Sequence, residues 1–342
     1  MNSQATKPCA TCGAKSNFQC VACSMVEYCS AGCRDRHSRE HQEKCGGLLQ
    51  KLVERIGESL REMFYVFSER AFDTKVVGVA KGTDAILISE GSNNVQQSRQ
   101  ALFPFPVMPT ADVRDRHAVL CANRSEHAVA YLHDFLAQML QGELSSLRLL
   151  YNFDSHKVVG VPLSRIEEGV ARMKHAPKAG VLRCADKNGD RRAQDTHRHR
   201  FVKLYASFHN RRWVLDPAGA IYGVQVDAMA AGNYGNSRVD ASKELPQTYQ
   251  FGYHKGKMHD FAQVRGLLGL PQKVLFVAAE YLQAGIDEWT LQSRLTLPQM
   301  LRSSDSEYKD CLISLRSCVH ESMSEMTGKP ECQQAIREAL GA

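Results

Sequence analysis

The 342-residue chain carries 43 Lys and Arg against 37 Asp and Glu, a formal net charge of +6. That is too mild to point to nucleic acid as a specific partner. A hydrophobic share of 43% describes an ordinary folded protein, and no apolar run approaches the roughly 18–20 residues of a membrane span.

Chain order begins with cysteine. Seven cysteines and His41 form four spaced pairs: Cys9 with Cys12, Cys20 with Cys23, Cys29 with Cys33, and His41 with Cys45. Soft thiolates with one imidazole suit zinc, and eight donors make two tetrahedral sites, so two Zn²⁺ per chain are expected. A segment of about 45 residues builds little core, so metal must supply most of its folding free energy. Cys12-Gly13 fits a tight turn. Residues four apart share a helix face, which puts Cys29/Cys33 and His41/Cys45 on short helical turns. Gly32 suggests that the first of these is short and metal-dependent. His37, one turn before His41, competes as a ligand but reads as a surface residue. The first residues are polar and lack the apolar stretch of a signal peptide, and an odd count of seven explains a disulfide framework poorly. A reducing compartment, cytosol or nucleus, is expected.

After Gly46-Gly47, Leu48, Leu49, Leu52, Val53, Ile56, Leu60, Met63 and Phe64 recur at helical spacing. Residues 76–79 and 85–89 read as strands. Residues 91–116, with Pro104, Pro106 and Pro109, read as a loop able to act as a lid. A helix is expected over 125–140, capped by Asn123 or Ser125 and ended by Gly142. Residues 147–153 and 158–161 read as strands, 166–173 as a short helix, and 187–190 as a turn. A hairpin follows, 201–205 against 213–215, and Asp216-Pro217-Ala218-Gly219 closes it. The basic residues around it, Arg191, Arg192, Arg198, Arg200, Arg211 and Arg212, read as a solvated face. From Lys257 onward the pattern is helical, over 258–268, 272–284, 297–302, 305–327 and 330–340. The fold class is therefore α+β: a small two-zinc unit over 1–46, a mixed domain with an antiparallel sheet over 47–255, and a helical region over 256–342.

The order Cys-Cys, Cys-Cys, Tyr28-Cys29-Ser30, Cys33, His41, Cys45 resembles the MYND-type zinc finger across residues 9–45. The resemblance implies a cross-brace. Cys9, Cys12, Cys29 and Cys33 would hold one zinc, and Cys20, Cys23, His41 and Cys45 the other. Spacing alone leaves other pairings open. The family often has tryptophan three residues before the histidine ligand, where this chain has Ser38. The resemblance also implies contact with protein partners, through a peptide motif, in a regulatory or adaptor role. Some lysine methyltransferases contain such a finger, but the Asn-His-x-Cys signature expected after it does not occur.

A second resemblance rests on the hairpin. His199 opens one strand with Tyr205 six residues on, and the next ends in Trp213-Val214-Leu215-Asp216-Pro217. Residues 117–223 thereby resemble transglutaminase-like and papain-like folds. The implied chemistry is a Cys-His-Asp triad of a hydrolase or acyl transferase, with His199 as base and Asp216 orienting it. The nucleophile belongs at a helix N-terminus, where the dipole lowers a thiol's pKa. Cys121, ahead of the expected 125–140 helix, is the first candidate and Cys184 the second. Cys311, Cys318 and Cys332 match no metal spacing, and His254 and His259 read as structural residues around a turn.

Overall fold

The computed structural model describes residues 8–20, 22–83, 85–91, 101–108, 111–140, 163–175, 177–183, 191–192, 198–206, 210–326 and 330–340. The strands expected at 147–153 and 158–161, the turn at 187–190, Gly142 and Cys184 lie outside them.

Two short strands, β1 (Phe18–Gln19) and β2 (Glu27–Tyr28), pair antiparallel in the cysteine-rich segment. Ser30 then caps α1 (Ala31–Arg70), accepting a hydrogen bond from the Cys33 amide. The short metal-bound helix expected here is instead the first turn of a 40-residue helix, about 60 Å long at 1.5 Å per residue. Gly46 and Gly47 do not interrupt it. Each costs roughly 1 kcal/mol of helix propensity, but Gly46 leaves room for Arg211, whose Nη2 would stand 2.7 Å from an added Cβ. Gly57 is tighter still: a Cβ there would meet the Asp227 carbonyl oxygen at 2.0 Å. From Leu49 to Phe67 the apolar residues of α1 are buried and run through the main core.

After α1, β3 (Val76–Lys81) and β4 (Ile86–Glu90) pair antiparallel. Three short helices follow: α2 (Val113–Cys121), α3 (Ser125–Tyr131) and α4 (His133–Leu140). The single helix expected over 125–140 is thus split, and neither Asn123 nor Ser125 caps it. Arg124 stands at the N-cap of α3 without a side-chain capping bond, and Asn123 adopts a left-handed φ of 57° at the break.

Strand β5 (Leu163–Arg172) replaces the short helix read at 166–173. Ile166 and Val170 are spaced like a helix face. The strand is central, however, flanked by two neighbours and buried over most of its length, so it lacks the polar alternation that marks an edge strand. Next come β6 (Ala179–Arg183), β7 (Arg191–Arg192), β8 (Arg198–Ala206), β9 (Arg212–Leu215) and β10 (Met229–Ala230). Helix α5 (Ala231–Arg238) and β11 (Gln247–Gln250) complete the sheets. The five-stranded sheet has the order β10-β9-β8-β5-β11 and is antiparallel throughout. A four-stranded sheet, β3-β4-β6-β7, contains one parallel pairing, β4 with β6. The hairpin β8–β9 forms as expected, with Val202 opposite Leu215.

The remainder is helical: α6 (Tyr253–Ala262), α7 (Leu270–Ser293), α8 (Leu297–Arg302), α9 (Asp305–Glu325) and α10 (Pro330–Leu340). His254 and His259 lie within α6 rather than around a turn. Thr296 with Gln299, and Ser304 with Glu307, make capping boxes that start α8 and α9. Arg55 of α1 ties in this region. It is buried and donates to the Leu301 and Ser303 carbonyls at 2.7 Å each and to Asp305 Oδ1 at 2.6 Å. Among the described residues, no helix is long and apolar enough to cross a membrane.

Candidate metal centres and a buried histidine–aspartate pair

The β1–β2 hairpin and the start of α1 carry the cysteines to two places. One cluster is Cys9, Cys12, Cys29 and Cys33; the other is Cys20, Cys23, His41 and Cys45. In each, the four donor atoms lie within 4.8 Å of one another. The first and third pairs share one centre and the second and fourth the other, which is the cross-braced pairing. Each centre is positioned to hold one metal ion.

The donor geometry fits zinc. A tetrahedral ion with Zn–S bonds of about 2.3 Å separates its sulfurs by roughly 3.8 Å. In the first centre, Cys12 and Cys29 are 3.5 Å apart, Cys29 and Cys33 3.5 Å, and Cys33 and Cys12 3.8 Å. In the second, Cys20 and Cys45 are 3.9 Å apart, and His41 Nε2 lies 3.1 Å from Cys20 and 3.5 Å from Cys23. A bound ion would neutralise thiolates and link α1 to the strands before it.

Surrounding groups support these donors. The Ser30 hydroxyl and then the Arg36 guanidinium hold the Cys33 thiol below its ordinary pKa, and Arg36 Nη2 lies 3.2 Å from that sulfur. Tyr28 is fully buried between the centres, and burial pushes its hydroxyl up to about 12. That hydroxyl lies 3.1 Å from His37 Nδ1, and the His37 ring stacks on His41 at 5.7 Å. His37 belongs to neither cluster; it braces the ligand His41. Ser38 turns inward to its own helix, donating to the Asp35 carbonyl at 2.6 Å.

The second arrangement lies where β8 meets the turn after β9. His199 Nε2 donates to Asp216 Oδ1 at 2.7 Å, and both side chains are buried. Tyr234, on α5, donates to Asp216 Oδ2 at 2.8 Å. Burial, and then the Asp216 carboxylate, raise the Tyr234 hydroxyl well above its ordinary value. The Tyr222 ring meets His199 edge-on at 5.0 Å.

Cys121 lies near this pair but is not joined to it. It is the last residue of α2, four residues before Ser125 opens α3, and does not itself stand at a helix N-terminus. Its sulfur is buried and faces the Pro217 carbonyl at 4.0 Å, and no hydrogen bond links it to His199. Burial, and next the Asp216 charge, push its thiol well above the ordinary value. A thiol so held stays protonated at neutral pH.

Three supporting residues were not legible in the pattern. Tyr234 comes 18 residues after Asp216, and only its place in a short helix brings it back. Arg36 lies among the charged residues 34–44, and no spacing marks it as the partner of a sulfur. Glu168 lies in the strand misread as helix. There it is fully buried and accepts from the Gly252 and His254 amides at 2.7 and 2.9 Å and from His254 Nδ1 at 2.6 Å, fastening the start of α6. Cys311 and Cys318 stand half-buried on α9, in neither metal cluster.

Compared with protein-family models, with characterised proteins and with solved structures, the chain matches none of them.

Proposed function

We propose that the chain is a zinc-dependent protein-interaction module, regulatory or adaptor in character, whose cysteine-rich segment is a MYND-type finger acting in a reducing compartment, cytosol or nucleus. The observation that carries this reading is the cross-braced grouping of eight donors into two four-donor centres. Spacing left that grouping open. Zinc would hold a small, rigid surface around β1, β2 and the start of α1, and a docking peptide would gain from that rigidity. The test has two steps. Elemental analysis of the full chain should find two zincs. Selection from a displayed peptide library should then return sequences with a shared motif whose binding is lost on chelation. Fewer than two zincs, or peptide binding indifferent to chelation, ends this reading.

A second reading, a cysteine-dependent hydrolase or acyl transferase using Cys121, His199 and Asp216, draws support from one observation. The His199–Asp216 pair is buried and well formed, and Nε2 is committed to Asp216, which leaves Nδ1 for a thiol. For this chemistry the Cys121 sulfur must turn from Pro217 towards that nitrogen. Iodoacetamide labelling at pH 7 decides it. A paired thiolate labels faster than a free cysteine, whereas a Cys121 that resists labelling in the folded chain excludes the nucleophile.

A further inference from the structure

The two centres differ in what surrounds them. Cys23 and Cys45 are 0% and 4% exposed and belong to the same apolar core as Leu49, Leu52 and Ile56; His41 is buried with them. One residue past Cys45, the Gly46 carbonyl accepts from Arg211 Nη1 at 2.7 Å. One turn further, Gln50 Oε1 accepts from the Trp213 indole at 2.6 Å. The second centre is therefore stitched to the sheet that holds His199 and Asp216. The first centre lies apart. Cys9, Tyr28 and Cys33 form a small cluster of their own; Cys12 is exposed and Cys29 half-exposed. Cys12 precedes Gly13, which has φ +75° and no atom within 4 Å of where a Cβ would stand, so the turn beside the Cys12 sulfur is open to small molecules.

We propose that the Cys9/Cys12/Cys29/Cys33 centre is a peroxide-responsive modification site, while the Cys20/Cys23/His41/Cys45 centre is a permanent structural one. The exposed Cys12 sulfur attacks the peroxide O–O bond, forming an S–OH group and releasing hydroxide, which is protonated to water. The Cys29 sulfur, 3.5 Å away, then attacks Cys12. An S–S bond forms, the S–O bond breaks, and a second hydroxide leaves and takes up a proton. Two electrons from the two sulfurs have reduced one peroxide. Cys9 and Cys33 are left as two donors, too few to retain the ion. In the second centre Cys23, His41 and Cys45 are buried and Cys20 is half-buried, so no donor there is as open to peroxide as Cys12. Reduction of the disulfide by a dithiol, followed by zinc, restores the starting state.

This inference rests on the zinc loading in the reading above and not on partner binding. The test uses the full chain with its zinc stoichiometry measured first. Hydrogen peroxide is added in the presence of a chromogenic zinc chelator, alkylation and peptide mapping follow, and melting is read by circular dichroism. The expected result is one zinc of two released on the order of tenfold faster than the other, because thiol attack follows access. The first release should coincide with a Cys12–Cys29 disulfide and leave the main melting transition in place. Release of both zincs together, retention of both, or early oxidation mapped to Cys20, Cys23 or Cys45 overturns the switch and leaves the interaction reading untouched. A starting stoichiometry below two overturns the zinc loading, and the switch with it.

Discussion

Between Cys9 and Cys33 the outer cluster of the cysteine-rich segment contains one fully buried large side chain, Tyr28. Around the β8–β9 hairpin, Phe201, Leu204, Trp213 and Leu215 are all at most 2% exposed and merge with the apolar face of α1. The first region is held by donor atoms converging on two points. The second is held by area removed from water, and its polar groups, His199, Asp216 and Tyr234, survive inside because each finds a partner. Metal-held and core-held structure meet on one helix. A donor pattern survives in sequence as spacing, whereas a packed core is readable only once its partners are known.

The comparison breaks first at Cys45, which serves both regions. Cys45→Ser should lose one zinc and several kcal/mol of folding free energy. At about 2–4 °C per kcal/mol, the melting midpoint should fall by on the order of 10 °C. A midpoint unchanged by calorimetry would show that the core stands without the metal. His199→Ala comes next. It strands the buried Asp216 carboxylate with Tyr234 alone, and breaking a buried pair costs about 3–5 kcal/mol. Denaturant titration should find that loss while elemental analysis still finds two zincs.

A smaller effect depends on pH. Burial raises the Asp227 carboxyl to about 6, helped by Glu58, Glu62 and Glu54 and opposed by Arg61. Its folded pKa lies above the unfolded value, so the neutral form favours folding. That contribution is complete below the unfolded value near 4 and is lost as pH rises through 6. Asp227→Asn should therefore gain on the order of 2 kcal/mol at pH 7 and nothing at pH 4; an equal change at both would refute the assignment. The smallest effect is Ser304→Ala, which removes the cap of α9 and should cost about 1 kcal/mol by denaturant titration, with no change in zinc content.

The two sets of donor residues were legible because their chemistry is written in residue type and spacing; their grouping needed coordinates. The α+β class, the β8–β9 hairpin and the capped helices α8 and α9 were legible too, since turn residues, alternation and capping boxes are local signals. Strand β5 was not. Burial erased its alternation, and Ile166 and Val170 kept a spacing that also fits a helix. The continuity of α1 was hidden by Gly46-Gly47, whose usual reading as a break gives way to the space that Arg211 requires. His199 and Asp216 were expected to meet, and the register Val202 opposite Leu215 lets them. The position of Cys121 at the end of α2 depended on where one helix stops and the next begins, which the left-handed Asn123 decides.

Arg55 and Asp305 meet across 250 residues of sequence. During synthesis at about 5–20 residues per second, α1 therefore waits roughly 10–50 s after emerging before its partner helix exists. Its stripe from Leu49 to Phe67 is sticky throughout that interval, and such long-range closure is slow even afterwards. A chaperone that shields apolar helices on the nascent chain, or early zinc capture that anchors one end of α1, would shorten the exposure. Production in zinc-poor medium should accordingly yield more aggregate and not merely less metal.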